Sequence, residues 1–254
     1  MTRDLAKGER TLYLIVPAAG RSTRMAQGTN KQFLPVAGIP VLARTLIAFR
    51  DFLPALPGTA LRAIILSSEE SRDEVEDLCR EILDKTTFKV VIGGACRQES
   101  VAKGVLSLEE LTPKPKSDDT VLIHDGARCL VDADTIRRAI EGAEEFGVCA
   151  AAVPVKDTVK RVNNGKERLV VETPDRSALY LIQTPQAFRY DLLQKTYANA
   201  GDLLSGATDD ASLAEAAGIP VHLVDGSYSN IKITTTEDLY LADCLENCRT
   251  HDAR

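Results

Sequence analysis

LIVPAAGRSTRMAQGTNKQFLPVAGIPVLARTL, residues 14–46, runs from an apolar strand through a small-residue, strongly cationic loop into a helix. Tyr13 to Val16 suit a buried parallel strand. Pro17, Ala18, Ala19 and Gly20 carry no side chain large enough to hold a ligand away from the backbone, and Arg21, Arg24 and Lys31 follow at once. Backbone N–H donors and fixed cations at the end of a parallel strand are what a triphosphate requires, so the stretch reads as a nucleotide-binding loop. It contains neither G-x-G-x-x-G nor G-x-x-x-x-G-K-[ST], which argues against dinucleotide-dependent dehydrogenases and P-loop kinases.

Outward from this loop, strand and helix patterns alternate over the first 155 residues, as right-handed βαβ units demand. Strands are expected at 13–16, 62–66, 88–92, 121–124 and 148–155. Helices are expected at 41–49, 71–83, 99–108 and 133–146, giving a Rossmann-like three-layer α/β/α sandwich with a mostly parallel sheet. After Pro154 the pattern changes. DTVKRVNNGKERLVVETP, residues 157–174, alternates around Asn163, Asn164 and Gly165 as a β-hairpin does. Residues 157–186 are therefore expected to form a β-arm on a single domain spanning 1–254, either a dimerisation element or a surface hairpin without a partner. Beyond it come helices at 190–199 and 210–217, a strand at 221–224 and a closing helix at 237–248.

The net charge of −6 over 254 residues argues against nucleic acid or an anionic membrane as partner. No stretch has the ~20 apolar residues of a membrane span, and the polar start MTRDLAKGER has no secretory core, so a cytoplasmic protein is expected. Of the six cysteines, Cys79, Cys244 and Cys248 fall at helical spacing among apolar residues and read as core positions.

Further segments lie where a doubly wound sheet binds ligands, beyond the carboxyl ends of its strands. Gly93 and Gly94 let the backbone approach a flat base, with Ser100 able to bond to it, although capping of the next helix explains the same residues. Asp125 ends a buried strand with Arg128 close behind, and can assist Mg²⁺, accept substrate hydroxyls or cap a helix. His124 reads as a packed residue. Lys156, Asp157, Thr158 and Lys160 stand where strand becomes arm, and Arg176, Thr184 and Gln186 suit a phosphate monoester. Thr208, Asp209 and Lys232 come last, with Lys232 between Ile231 and Ile233 and so opposite to them on an expected strand.

The signatures PAAG-x-x-x-RM, GG-x-x-R-x-x-SV, HD-x-AR, V-x-DT-x-KR, R-x-x-L-x-x-x-QTPQ, TD-x-AS and NIK-x-T follow one another between about residues 13 and 245. In that order they resemble the 2-C-methyl-D-erythritol 4-phosphate cytidylyltransferases of the non-mevalonate isoprenoid route, a family of the nucleotide-diphospho-sugar transferase fold. The resemblance implies CTP and an alditol phosphate as substrates, pyrophosphate as a product, and a homodimer. It implies nucleotide contacts from Pro17, Ala18, Ala19, Gly20, Gly94, Ala95 and Ser100, and catalytic cations at Arg24, Lys31 and Lys232. Asp125, Arg128, Thr158, Thr184, Thr208 and Lys232 would surround the alditol phosphate, joined by Arg176 on a second subunit's arm. Mg²⁺ or another divalent cation would be held mainly by the CTP phosphates, with Asp125 able to assist. Gly126, Cys129 and Ala95 depart from the usual pattern without removing a cation or the carboxylate. A ribitol 5-phosphate cytidylyltransferase and a non-catalytic nucleotide-binding homologue are the alternative readings. The attacking group would be the substrate's own phosphate, whose second pKa of about 6 makes a general base unnecessary. A loop at 26–30 closing over nucleotide is a further expectation.

Overall fold

The computed structural model describes residues 10–20, 30–83 and 88–252. Among them, strand β1 (Arg10–Pro17) lies inside the main sheet. It pairs in parallel with β4 (Thr59–Ser67) on one side and β6 (Thr120–Ile123) on the other. A small hairpin of β2 (Pro35–Val36) and β3 (Ile39–Pro40) leads into α1 (Val41–Phe52). Next come α2 (Arg72–Ile82), β5 (Phe88–Ile92), α3 (Arg97–Ser107), α4 (Ala133–Phe146) and β7 (Val148–Pro154).

Beyond β7 the chain forms the expected hairpin, with β8 (Arg161–Val162) against β9 (Val170–Glu172). It then returns as β10 (Tyr180–Arg189), followed by α5 (Tyr190–Ala198), α6 (Asp210–Ala216), β11 (His222–Asp225) and α7 (Thr236–Asp252). The described strands of the main sheet run in the order β11-β7-β10-β6-β1-β4-β5, and β10 lies antiparallel to both of its neighbours. The sequence reading contains no strand at 180–189. Its place is inside the sheet, although Pro185 between polar Gln183 and Gln186 argues against a central strand. A bulge between Ile182 and Gln186 absorbs the proline.

Alternation along β1 divides the core. Leu12, Leu14 and Val16 pack on one face with Leu46 and Phe49 of α1, Val75 of α2 and Ile136 and Ile140 of α4. Tyr13 and Ile15 pack on the other with Val101 and Val105 of α3, Leu193 of α5 and Ala214 of α6. Both sheet faces are thus covered by helices, the condition under which parallel strands read as continuous apolar runs. A third cluster joins Val36, Val41, Cys129, Leu130, Ile233 and Ala242, fastening α7 beside the end of β6.

Two expectations need correction. Residues 231–234 join no sheet, so Lys232 is directed instead by the packing of Ile231 and Ile233 into the third cluster and by its ion pair with Asp125. Cys244 and Cys248 are exposed, because α7 turns Leu239, Ala242 and Leu245 inward. Its face is fixed further by Asp243 accepting from the Ala37 N–H and by Glu246 pairing with Arg44 at 2.5 Å.

Candidate active site

In this sheet the strand order reverses between β1 and β6, and the crevice beyond the carboxyl ends at such a reversal is where doubly wound folds bind ligands. The ladder persists past the end of β6, through His124 N–H to Ile15 O at 2.9 Å and Gly126 N–H to Pro17 O at 3.2 Å. These bonds hold the Pro17–Gly20 loop and Asp125 side by side. A cleft of about 640 Å³ opens there, lined by Pro17, Ala19, Gly20, Lys31, Gly93, Gly94, Ala95, Ser100, Asp125 and Lys232 among others. Ala18 is packed into the core instead, with its N–H bonded to Leu66 O. Arg24 lies outside the described residues, as do Arg21 and residues 26–29 of the expected closing loop.

The glycine pair is enforced by crowding. A Cβ on Gly93 would stand 2.7 Å from Ser100 Oγ and 2.8 Å from Ala19 Cβ, and one on Gly94 would stand 2.4 Å from Glu99 Cβ. Ser100 braces the turn, accepting from Gly94 N–H at 2.9 Å and donating to Cys96 O at 2.8 Å. Glu99 accepts from Ala95 N–H at 2.8 Å. Ser100 lines the cleft, while the N-cap of α3 is Cys96, whose Sγ accepts from Glu99 N–H.

Asp125 is the electrostatic centre. Its side chain is 9 % exposed, with Lys232 Nζ 2.9 Å from Oδ2, Arg97 Nε 3.1 Å from Oδ1 and Arg128 Nε 3.6 Å from Oδ2. Burial pushes this carboxyl up, but Arg97, Lys232 and Arg128 together outweigh it and hold it well below the usual carboxylate range. Asp125 caps no helix; Asp132 does so for α4, accepting from Thr135 N–H. Neighbouring His124 is fully buried, edge-on to Phe49, and burial lowers its imidazole to about 4. It is the packed residue its position suggested.

A second cavity of about 100 Å³ lies beyond Asp125, lined by Arg128, Thr184, Gln186, Thr208 and Asp209 together with Arg97, Asp125 and Lys232. Those last three side chains also line the larger cleft, so they form the border between the two. Arg128 is held in place by Nη1 donating to Asn230 O at 2.7 Å. Gln186 accepts from the N–H groups of Asp210 and Ala211 and donates to Asp209 at 2.8 Å, shaping the pocket floor. Thr158 and Arg176 are exposed on the arm, where Arg176 donates to Lys156 O, and neither lines either cavity. Gly126 and Cys129 are buried in packing, and Ala95 faces the cleft.

Sequence reasoning assigned no role to Arg97, Glu99, Asp210 or Asn230. Arg97 stands within a quoted signature, but its partners Asp125 and Asp210 lie 28 and 113 residues away, and only the fold brings them together.

A doubly wound sheet with a phosphate-suited loop at its switch point, and a cation-bordered pocket beside it, defines an α/β nucleotidyltransferase. The family model for 2-C-methyl-D-erythritol 4-phosphate cytidylyltransferase (IspD) matches residues 12–247. Enzymes of that name from Bacillus velezensis and Desulforamulus reducens are 40% and 41% identical, over 91% and 93% of this chain and 94% and 97% of theirs. The solved structure of the 4-diphosphocytidyl-2C-methyl-D-erythritol synthase of Anaerococcus prevotii superposes with a TM-score of 0.75 at 29% identity, covering 94% of this chain and 97% of its own. A 2-C-methyl-D-erythritol 4-phosphate cytidylyltransferase structure from Thermus thermophilus gives 0.69 at 32% identity, covering 91% and 97%. The chain belongs to the 2-C-methyl-D-erythritol 4-phosphate cytidylyltransferase family.

Proposed function

We propose that the two adjoining cavities are the two substrate sites of the reaction that defines the family. That reaction is cytidylyl transfer from CTP to 2-C-methyl-D-erythritol 4-phosphate, releasing pyrophosphate and forming 4-diphosphocytidyl-2-C-methyl-D-erythritol. The observation that carries the assignment is the shared border: Lys232 lines both cavities, where an attacking phosphate and the α-phosphorus must meet.

CTP occupies the larger cleft, its base against Gly93 to Ala95 and its phosphates along Pro17, Ala19 and Gly20 toward Lys31. The alditol phosphate occupies the smaller pocket among Arg128, Thr184 and Thr208. Its phosphate is largely dianionic at neutral pH and needs no protein base. The chain's task is to align two mutually repelling anions and to neutralise charge at the α-phosphorus and departing pyrophosphate. Lys31, whose Nζ is poised 3.1 Å from Ile233 O, and Lys232 serve that end, together with Arg24.

Among the described residues no group of three or more His, Cys, Asp or Glu side chains could cage a metal, and both oxygens of Asp125 face cations of the protein. This donor set fits a divalent ion such as Mg²⁺ brought in by the triphosphate oxygens, with Asp125 available only if Lys232 withdraws. Such an ion would further neutralise the phosphates.

The exposed apolar side chains of the arm and the start of β10, Val162, Leu169, Val170, Val171, Leu181 and Ile182, favour a homodimer joined through residues 157–182, which would bring Thr158 and Arg176 to a neighbouring site. Six free cysteines support a reducing, cytoplasmic setting. No helix among the described residues is long and apolar enough to cross a membrane.

The test is pyrophosphate release with CTP and Mg²⁺, comparing 2-C-methyl-D-erythritol 4-phosphate with ribitol 5-phosphate. Release with the first is expected. Release with ribitol 5-phosphate alone would reassign the acceptor, and CTP binding without release in either case would reduce the chain to a nucleotide-binding homologue. For the dimer, Val170→Lys should convert a dimer to a monomer in sedimentation; a monomeric parent protein would refute the arm's role.

A further inference from the structure

The three cations around Asp125 differ in how tightly they are held. Lys232 has 39 % of its side chain exposed, on a flexible four-carbon stem. Arg97 has 21 % exposed and is anchored at both ends of its guanidinium. Its Nε faces Asp125 at 3.1 Å, and its Nη2 lies 2.8 Å from Oδ2 of Asp210, whose side chain is completely buried. Asp210 is in turn fixed by the Tyr197 hydroxyl at 2.6 Å on its other oxygen, and by its own N–H donating to Gln186. Arg97 also begins α3, directly after the glycine turn, so one side chain ties the base-side loop to the end of β6 and the start of α6.

An incoming triphosphate and phosphate monoester pull on the nearest mobile cation, and Lys232 is that group. An Asp125 deserted by Lys232 and left with only Arg128 Nε, which stands 3.6 Å away and makes no hydrogen bond to it, would repel both substrates at the point where they must approach.

We propose that Arg97 is a positioning residue of the transfer. It keeps Asp125 paired and in place while Lys232 turns to the phosphates, and it locks the nucleotide cleft and the acceptor pocket into one geometry. This rests on the assignment of Lys232 to the reacting phosphates made above.

The experiment compares Arg97→Met, Arg97→Lys, and Arg97→Met combined with Asp210→Asn. The last removes the buried charge that would otherwise be stranded and keeps the test valid should the single variant not fold. A kcat lower by ~100-fold, the scale of a misplacement of about 1 Å at a reacting centre, is expected, with the KM for CTP within about threefold of its parent. Arg97→Lys should recover about tenfold of the loss by restoring a cation beside Asp125. In an Asp125→Asn background, Arg97→Met should cost less than about threefold more, because the carboxylate it holds is gone. Equal losses in both backgrounds, or a change confined to the KM for CTP, would overturn the proposal. Lys232→Ala separates the two layers: full turnover in that variant sinks the site assignment itself, whereas a crippled Lys232→Ala beside an active Arg97→Met sinks only the role of Arg97.

Discussion

Replacing Thr184 by valine keeps the side chain's shape and removes one hydroxyl, and the structure says what that hydroxyl does. It lies 3.1 Å from Nδ1 of His124 and accepts from Asp125 N–H at 3.0 Å. His124 Nε2 is 3.0 Å from Arg128 O. A carbonyl only accepts, so Nε2 carries the ring proton, Nδ1 is bare, and the threonine O–H donates to it. Valine therefore strands a buried acceptor and a buried donor together. Each orphan costs ~1–3 kcal/mol, and the added methyl returns about 0.8 kcal/mol of apolar burial, leaving a net loss of about 1–5 kcal/mol. Equilibrium urea unfolding at pH 7.5 measures it, and Thr184→Ser, which restores the hydroxyl, should recover most of it. Because one stranded group is the backbone of Asp125, turnover should fall as well. A Thr184→Val protein within about 0.5 kcal/mol of its parent, at unchanged m-value, would refute this account of how Asp125 is held.

Two further outcomes follow from the same geometry. His124, lowered from 6.5 to about 4 by burial, leaves the unfolded chain binding more protons between those values. Stability should therefore fall as pH drops from 6.5 toward 4, by about 3 kcal/mol in all at ~1.4 kcal/mol per unit, with the depressed Asp125 adding its own loss only below about pH 4. Urea midpoints at pH 7.5, 6 and 5 should show the slope, His124→Gln should flatten it, and a flat parent profile would contradict the burial argument. Gly94→Ala drives a methyl to 2.4 Å from Glu99 Cβ and 3.0 Å from its backbone carbon. Overpacking of that kind costs ~1–3 kcal/mol, or about 5- to 150-fold if all of it falls on CTP affinity, so the KM for CTP should rise with that for the alditol phosphate unmoved. A normal KM for CTP would mean the base is not read at this turn.

The parts of the molecule legible in the sequence are those whose cause is local. The run Tyr13–Val16 needs both faces covered to make sense, and β1 is covered on both. The strand at 88–92 and the helix at 133–146 have the bounds their patterns indicate, the latter stopped by Gly147 at a φ of +86°. Cations and glycines at strand ends located the cleft. What stayed hidden depends on distant partners. β10 buries Gln183, Thr184 and Gln186, polar residues made tolerable by Asn230, His124 and Asp209. No window around residue 185 contains that information. Likewise α7 carries apolar residues on several faces, and only Arg44, Ala37 and the end of β6 determine which one turns inward.

The central placement of β10 bears on how the molecule comes into being. β1, β4, β5 and β6 join one another within the first 123 residues, and with them the nucleotide cleft acquires most of its walls. Among the described residues, β7 and β11 join that half of the sheet only through β10, which must pair with β6 across more than 60 residues of intervening chain. A chain growing from its N-terminus can thus assemble a CTP-sized crevice early, but its acceptor pocket exists only after residue 189 has been made and threaded between two strands already formed. Lys232 arrives later still. The order of synthesis builds the nucleotide side first and withholds the residue at the meeting point of the two substrates until nearly the whole chain is present.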